Sequence, residues 1–337
     1  MGSRVVCALA VLTLLSGCVL FERQVSPLPT PGIPSAVYLP AVARGYKAPM
    51  SYGVGGGPFT MDVDWWYGWS VMPSVSDERL VRMVWCLSDY HLALYTTSVI
   101  LAAQRDYAAG ITRTWLVLNE PDDTNRNTLV SQCGGYHLTG NPFDAENYAP
   151  RVYEAPEAMA IRYSAMYDLI KQHDPRARTL VGGLGWLWKP LTQDWWVRFV
   201  GELQRRGELW KVDGVHVHGY PHLGATELQS RFEMWYRDYH AGLGLGDRTI
   251  WISETGAGVA CTEWTLFDAT AWTTVRDTTM LPLRQWYESA ANPGYDSAAW
   301  FVSWWGGPDG LPWWCGFLAD ARTLPATLTP LGVEWTR

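Results

Sequence analysis

The sequence predicts an α/β protein: a single-domain (β/α)8 TIM barrel whose first βα units are irregular. From about residue 80 onwards, short runs rich in β-branched and aromatic residues alternate with helical stretches, the pattern of a parallel sheet covered by helices. The length of 337 residues suits one such barrel preceded by an export segment. No repeat of solenoid period and no polar low-complexity run divides the chain, so one large domain is expected.

The predicted elements follow in order along the chain. Apolar strands are predicted at residues 82–86, 114–118, 179–181, 212–218, 249–254 and 298–304. Helices are predicted at residues 89–108, 156–173, 195–206, 227–239 and 270–291.

The first two strands are harder to place. Residues 62–67 predict strand two, and strand one is placed either at 51–54 or at 36–42. Only a few residues separate 51–54 from 62–67, whereas a parallel crossover usually needs about a dozen or more. Both positions of strand one therefore stay open.

The amino terminus resembles the signal of an exported bacterial lipoprotein. Arg4 precedes an apolar stretch too short to span a bilayer, and the stretch ends in a Leu-Ser-Gly-Cys sequence at residues 15–18, which is similar to a lipobox. It predicts a lipid on Cys18 and location at the bacterial membrane or cell surface. An ordinary secretory signal with an incidental cysteine, giving a secreted protein, is the alternative.

Three regions follow from this interpretation. Residues 1–18 form the predicted lipoprotein signal peptide. Residues 19–46 contain repeated prolines and little charge, which predicts a semi-rigid linker. Residues 47–337 remain for the barrel, the predicted catalytic domain.

Charge and aromatic content narrow the class of partner. The net charge is -7 with no Lys/Arg cluster, which argues against nucleic acid and against an anionic bilayer surface. We expect a monomer that meets the membrane only through its lipid. The chain has 21 Trp and 17 Tyr against 8 Phe. Rings with a broad apolar face and a polar edge suit sugar surfaces, so the set favours carbohydrate, although core packing explains many single residues.

The cysteines outside the signal number four. An even count in an exported protein favours disulfides, and the order of the barrel strands predicts Cys86 with Cys133 and Cys261 with Cys315, each pair on neighbouring loops. Free buried thiols are the alternative. No CxxC or His/Cys ligand spacing is present, so no metal and no cofactor is expected.

Two glutamates lie at positions where a barrel enzyme has its active site. Glu120 and Glu254 come at the C-terminal ends of predicted strands, the end of a barrel that holds the active site. Two facing carboxyl groups can act as a proton donor and a nucleophile or base.

The residues around these glutamates resemble clan A glycoside hydrolases. The resemblance rests on Asn-Glu-Pro at 119–121 after an apolar strand and on Trp-Ile-Ser-Glu-Thr-Gly at 251–256 about three βα units later. It implies that Glu120 is the acid/base, that Glu254 is the nucleophile, and that Asn119 contacts the sugar 2-hydroxyl.

At residues 65–69, 119–122, 196–199 and 212–220 the sequence is most similar, within the clan, to glycoside hydrolase family 128, and the likeness extends over most of residues 50–337. This resemblance implies a retaining endo-β-1,3-glucanase whose substrate is β-glucan or a related polysaccharide. Gly68 stands where the family often has Asn, which puts one subsite in doubt. The alternatives are another clan A specificity, on β-1,4-glycan or β-mannan, and a surface lipoprotein that captures glycans without cutting them.

Residues on the sixth predicted strand alternate towards one face. His216, His218 and Tyr220 share that face. We expect His218 and Tyr220 at the rim beside Glu254, where a hydrogen bond would orient its carboxylate. His216 is expected to be a satisfied interior histidine.

Four tryptophans are candidates for a sugar-stacking surface. Trp304 and Trp305 end the last predicted strand. For Trp66 and Trp85, core packing is an equal alternative.

Overall fold

Eight parallel strands close into a barrel in the computed structural model of this protein, which confirms the predicted fold. The structure describes residues 50–55, 62–68, 70–122, 155–220, 224–256, 273–300, 318–320, 327–328 and 335. The strands follow one another around the barrel in chain order, and the last pairs with the first. Their bounds are β1 Ser51–Gly55, β2 Trp65–Tyr67, β3 Leu80–Val84, β4 Thr114–Val117, β5 Arg178–Leu184, β6 Gly214–Gly219, β7 Thr249–Thr255 and β8 Tyr295–Trp300.

Helices connect these strands, and two of them begin at a residue type that marks the start of a helix in the sequence. Their bounds are α1 Asp89–Ala108, α2 Pro156–His173, α3 Pro190–Arg205, α4 Ala225–Trp235 and α5 Leu281–Glu288. Helices α2 and α3 each begin on a proline, whose missing N–H costs nothing in the first turn. Helix α3 therefore starts earlier than the sequence predicts. Two short strands, β9 Leu318–Asp320 and β10 Thr327–Leu328, pair antiparallel outside the barrel.

Strand one lies at the later of its two possible positions. β1 and β2 pair directly in parallel although only residues 56–64 connect them. Asp64 secures the end of this connection, because its carboxylate accepts a hydrogen bond from the Tyr52 N–H at 2.7 Å and its own N–H donates to the Tyr52 carbonyl. The other position, 36–42, lies outside the described residues.

Side chains alternate between two apolar layers. The layer inside the barrel contains Trp65, Tyr67, Val81, Met83, Leu116, Leu180, Trp251 and Ala299. The second layer lies between the strands and the helices and includes Trp66. Period-two alternation along β2 therefore sends Trp65 and Tyr67 inwards and Trp66 outwards.

Cys86 lies buried just beyond β3 and is disulfide-bonded. Cys18, Cys133, Cys261 and Cys315 lie outside the described residues, so the pairing and the lipidation stay predictions, as do the signal peptide and the linker. Among the described helices, none has the length and apolar character needed to cross a membrane.

Candidate active site

Three strands bring acidic and imidazole side chains to the C-terminal end of the barrel. Glu120 follows β4, His218 lies on β6 and Glu254 lies on β7. A register shift in the β6–β7 ladder places His218 directly opposite Glu254. Such an irregularity redirects side chains at a barrel rim. The two sequence-predicted glutamates therefore meet around one histidine.

The backbone that carries Glu120 is in an unusual conformation. Leu118 has φ 76° and Glu120 has φ 45°, a left-handed region that non-glycine residues rarely adopt and that clusters at functional sites. Gly183 makes room on β5, because a Cβ there would lie 2.9 Å from the Leu118 carbonyl oxygen and 3.0 Å from the Asn119 Cα. The Glu120 N–H donates to the Gly183 carbonyl at 2.8 Å, which fixes the turn.

His218 lies between the two carboxylates. Its Nδ1 is 3.1 Å from Oε1 of Glu120 and 3.3 Å from Oε2 of Glu254. Both neighbours are acceptors, so Nδ1 carries the proton. The His218 Nε2 is buried and makes no hydrogen bond within the part of the chain that the structure describes.

Two tyrosines hold the Glu254 carboxylate, one on each oxygen. The Tyr67 hydroxyl donates to Oε1 at 3.0 Å, and the Tyr220 hydroxyl donates to Oε2 at 2.7 Å. Burial and the neighbouring Glu254 raise the pKa of both phenols well above their usual value. Both therefore keep their protons and act as donors.

The charges of this cluster are coupled. Burial raises the pKa of Glu254, and the Glu120 charge raises it too. The charge of His218 and the hydrogen bonds from Tyr220 and Tyr67 act in the opposite direction. Burial alone would lower the pKa of His218, but the charges of Glu254 and Glu120 outweigh it, and the pKa is raised. The cluster thus retains a proton to higher pH than its separate members would.

His216 is one step deeper in the barrel and is fully buried. Its Nδ1 lies 2.8 Å from the Ser253 hydroxyl, and its Nε2 lies 3.3 Å from the Val117 carbonyl oxygen. Burial and the charge of His218 lower the pKa of His216 to about 3. A neutral histidine with both nitrogens bonded is a structural group.

The other predicted site residues divide into three groups. Asn119 is buried beside Glu120, and Trp85 stands half-buried just beyond β3 against the inner layer, so both lie at the C-terminal end of the barrel. Trp66 does not reach the site, because its ring packs outside the barrel and its Nε1 donates to Asp77 at 3.1 Å. Trp304 and Trp305 lie outside the described residues.

Sequence reasoning missed two polar residues near the glutamates. Tyr67 shares a face with Trp65 and alternates with Trp66, but three consecutive aromatic residues do not show which face points into the barrel. Asp122 is buried, accepts hydrogen bonds from the Thr192 hydroxyl at 2.5 Å and from the Gly185 N–H at 3.1 Å, and ties the β4 end to the segment after β5.

The donor set could also hold a cation. One oxygen from each glutamate and a ring nitrogen of His218 lie within 4.8 Å of one another, the one such group among the described residues. Two carboxylates and an imidazole are ligands that divalent transition metals accept. The expectation of a metal-free site therefore stays a prediction.

Comparisons with known proteins support the architecture. No protein-family model and no curated protein matches the chain. A thermostable mutant of a xylanase from Cellvibrio japonicus is similar at 13% identity and a TM-score of 0.52, over 86% of this chain and 98% of that one. A psychrophilic glycoside hydrolase family 10 endo-β-1,4-xylanase is similar at 10% identity and 0.51, over 86% and 96%. The catalytic core of xylanase A is similar at 12% identity and 0.51, over 86% and 99%. At these identities the likeness shows the (β/α)8 fold.

Proposed function

We propose that this chain is a retaining clan A glycoside hydrolase that cleaves β-glycosidic bonds in a polysaccharide. The observation that carries the proposal is the meeting of Glu120 and Glu254 at the C-terminal end of the barrel, with His218 in contact with both. Glycoside hydrolysis needs two carboxyl groups that flank the bond to be broken. This end of the barrel is where such enzymes assemble their sites.

Glu120 donates a proton to the departing glycosidic oxygen while Glu254 attacks the anomeric carbon. A glycosyl ester with Glu254 forms and the first sugar leaves. Glu120, now ionised, takes a proton from water, whose oxygen attacks the same carbon and releases Glu254 as a carboxylate. The Tyr67 and Tyr220 hydroxyls orient Glu254 for attack and stabilise it when it departs.

The separation of the two carboxylates supports retention. Inverting enzymes keep them about 6.5–9.5 Å apart to leave room for water, and retaining enzymes about 5–5.5 Å. The closest oxygens of Glu120 and Glu254 lie within 4.8 Å. A closest approach this short agrees with the separation found in retaining enzymes.

For the substrate we propose endo-acting cleavage of β-1,3-glucan. This finer assignment rests on the sequence resemblance to family 128 at residues 65–69, 119–122, 196–199 and 212–220. Cleavage of β-1,4-glycan or β-mannan is the alternative within the same mechanism. Xylan belongs in the test because the proteins that share the fold are named as xylanases.

The test is digestion of linear β-1,3-glucan, β-1,4-glucan, xylan, mannan and galactan, with product length and anomeric configuration followed by NMR. Glu254→Gln should abolish turnover, and Glu120→Gln should lower it at least about 10²-fold. Azide should rescue Glu120→Ala by attacking the glycosyl ester. Glu157→Gln, on the exposed face of α2, is the matched control and should act like the wild type.

The results separate the alternatives. Wild-type turnover in Glu254→Gln would end the catalytic assignment. Tight glycan binding without any cleavage by the wild type would favour a capturing protein instead. Products that first appear with inverted configuration would exclude the glycosyl ester.

We further propose that the protein is exported and anchored by a lipid on Cys18. The proposal rests on the lipobox-like sequence at residues 15–18. Metabolic labelling with a fatty acid and membrane fractionation test it. Cys18→Ala should lose the label and leave the membrane fraction, whereas equal release of both forms would favour simple secretion.

A further inference from the structure

A second pocket opens at the opposite end of the barrel from the glutamates. Its wall includes Ser51, Trp65, Leu80 and Thr114, which are the first residues of β1, β2, β3 and β4. Its volume is about 220 Å³. A five-residue strand such as β3 spans roughly 17 Å, so the barrel wall separates this pocket from the catalytic end.

We propose that this pocket is a non-catalytic site for one neutral pyranose ring, free or at the end of a glycan. Its volume is below the roughly 300–1,000 Å³ of pockets for drug-sized ligands, which suits a single sugar unit. The proposal goes beyond the proposed function and does not depend on catalysis.

Two indoles belong to the apolar part of the pocket wall. Trp65 and Trp251 both line it, and their ring centroids lie 4.8 Å apart at 38°. Trp65 also stacks on Tyr67, so it meets the pocket through a ring edge, and the polar N–H lies on the edge of an indole. Trp65 is 4% exposed, and its Nε1 has no hydrogen-bond partner in the described part of the chain. A buried N–H without an acceptor is rare, and a sugar hydroxyl would supply one.

The polar groups at the rim suit hydroxyls rather than ions. Asp64 and Glu78 oppose Arg79 and Arg113 in the lining, so the charges balance and favour a neutral ligand. Arg113 is already satisfied, since it bonds Asp106 and main-chain carbonyls.

The exposed Glu78 supplies the acceptors. Its carboxylate makes no hydrogen bond or ion pair with another described residue, and a carboxylate with two acceptor oxygens can receive two adjacent sugar hydroxyls. Arg79, by contrast, is engaged by Asp77, so an anion would have to compete with that carboxylate for the guanidinium.

Calorimetric and saturation-transfer NMR titrations test the proposal on the full-length protein. The probes are glucose, xylose, galactose and mannose, their methyl glycosides, short β-glucan oligosaccharides and, separately, sulfate. Tryptophan fluorescence follows the same titrations. Comparison of the methyl glycosides with the oligosaccharides distinguishes binding of a single sugar from binding of a chain end. A methyl glycoside has one sugar unit, whereas an oligosaccharide has further units that the site must accommodate.

Two exposed positions give pocket variants. Glu78→Ala removes the acceptor, and Thr112→Trp places a large ring in the opening; both should weaken sugar binding at least about tenfold. Glu157→Gln, on the exposed face of α2 and outside the pocket, should retain wild-type affinity. Circular dichroism verifies that each variant is folded.

Three outcomes would overturn the proposal. These are no saturable sugar binding by the wild type, a number of bound sugars per chain that neither pocket variant reduces, and binding of sulfate in place of sugar. Because the titrations measure binding alone, an enzyme inactive on every polysaccharide would leave their outcome readable. A failure of the catalytic assignment can thus be distinguished from a failure of the proposed sugar site.

Discussion

Tyr67 donates a hydrogen bond to Oε1 of Glu254 across the barrel, over 3.0 Å. The two residues lie on β2 and β7, strands that are not neighbours in the sheet. Closure of the barrel therefore creates the contact. The phenol adds a second donor to a carboxylate that Tyr220 already holds through its other oxygen, so neither oxygen can rotate freely.

Tyr67→Phe should slow the enzyme while leaving it folded, because phenylalanine fills the same buried space. A hydrogen bond to a charged group contributes about 1.5–3 kcal/mol, which corresponds to a loss of roughly 10- to 150-fold in kcat. The Tyr67 hydrogen bond lowers the pKa of Glu254, so its removal should move the acid limb of the pH–rate profile to higher pH. Steady-state kinetics from pH 4 to 8 measure both effects.

Tyr163→Phe is the matched control for this variant. Tyr163 is equally buried, and its hydroxyl donates to the Lys211 carbonyl at 2.8 Å, away from the glutamates. Its loss should lower the free energy of unfolding without moving the acid limb. A limb that moves equally in both variants would mean that Tyr67 acts only through general stability.

Much of the fold could be predicted because long buried strands alternate with helices. The two glutamates could be placed because each follows a strand, and parallel strands in a barrel all end at the same rim. β2 was the opposite case: its three residues are all aromatic, so no polar position marks the face that points into the barrel. The inward position of Tyr67 and the outward position of Trp66 depend on which face that is.

The local backbone at Glu120 could not be predicted either. The positive φ of Glu120 depends on Gly183 of the neighbouring strand. A side chain larger than that of glycine at position 183 would take the space that the turn needs. A pattern of apolar residues in one strand does not contain that information. The coupling of His218 to both glutamates also depends on a register shift that no sequence period marks.

Gly185→Ala should impair the chemistry through Glu120. A Cβ at Gly185 would lie 3.2 Å from Oε1 of Glu120 and 3.4 Å from its Cδ, so the carboxyl group would have to move by a few tenths of an ångström. Because a 1 Å misplacement can cost about 10²-fold, we expect kcat to fall roughly tenfold with little change in KM. Single-turnover kinetics on an activated aryl glycoside, which needs less acid assistance, should show a smaller loss.

Gly201→Ala provides the comparison for that variant. Gly201 lies in α3 with open space around it, so alanine should raise helix stability by about 0.5–1 kcal/mol and leave kcat unchanged. Equal kcat values in Gly185→Ala and the wild type would show that Glu120 tolerates the displacement.

Divalent zinc should inhibit the enzyme, and a chelator should not. The oxygens of Glu120 and Glu254 and a nitrogen of His218 lie close enough to share one ion, which would occupy both glutamate carboxylates. Ligands must be deprotonated to bind metal, and the pKa of His218 is raised, so inhibition should weaken as the pH falls. Activity measured with zinc, with EDTA and with both tests this. An EDTA-treated enzyme that is inactive until zinc is added would instead identify a metal-dependent mechanism.

Asp122 gives the fold a measurable pH dependence. Burial raises its pKa to about 6 from 3.8, although hydrogen bonds from Thr192 and Gly185 act in the opposite direction. The folded state thus holds the Asp122 proton more tightly than the unfolded state. The corresponding stability is fully present below about pH 4 and is lost as the pH rises through about 6.

Asp122→Asn should remove this dependence, because the amide stays neutral while keeping the shape and an acceptor for the Gly185 N–H. A difference of about two pH units corresponds to about 3 kcal/mol, so the variant should gain about that much free energy of unfolding over the wild type between pH 4 and pH 7. Urea denaturation at pH 4, 5.5 and 7 measures the difference. Asp77→Asn is the control of opposite sign: burial alone would raise the pKa of Asp77, but hydrogen bonds from Arg79 lower it. That variant should therefore be less stable than the wild type above the ordinary carboxyl pKa of 3.8, by an amount that stays constant between about pH 5 and pH 7. Parallel curves for Asp122→Asn and the wild type would show that Asp122 is ionised in the folded protein throughout this range.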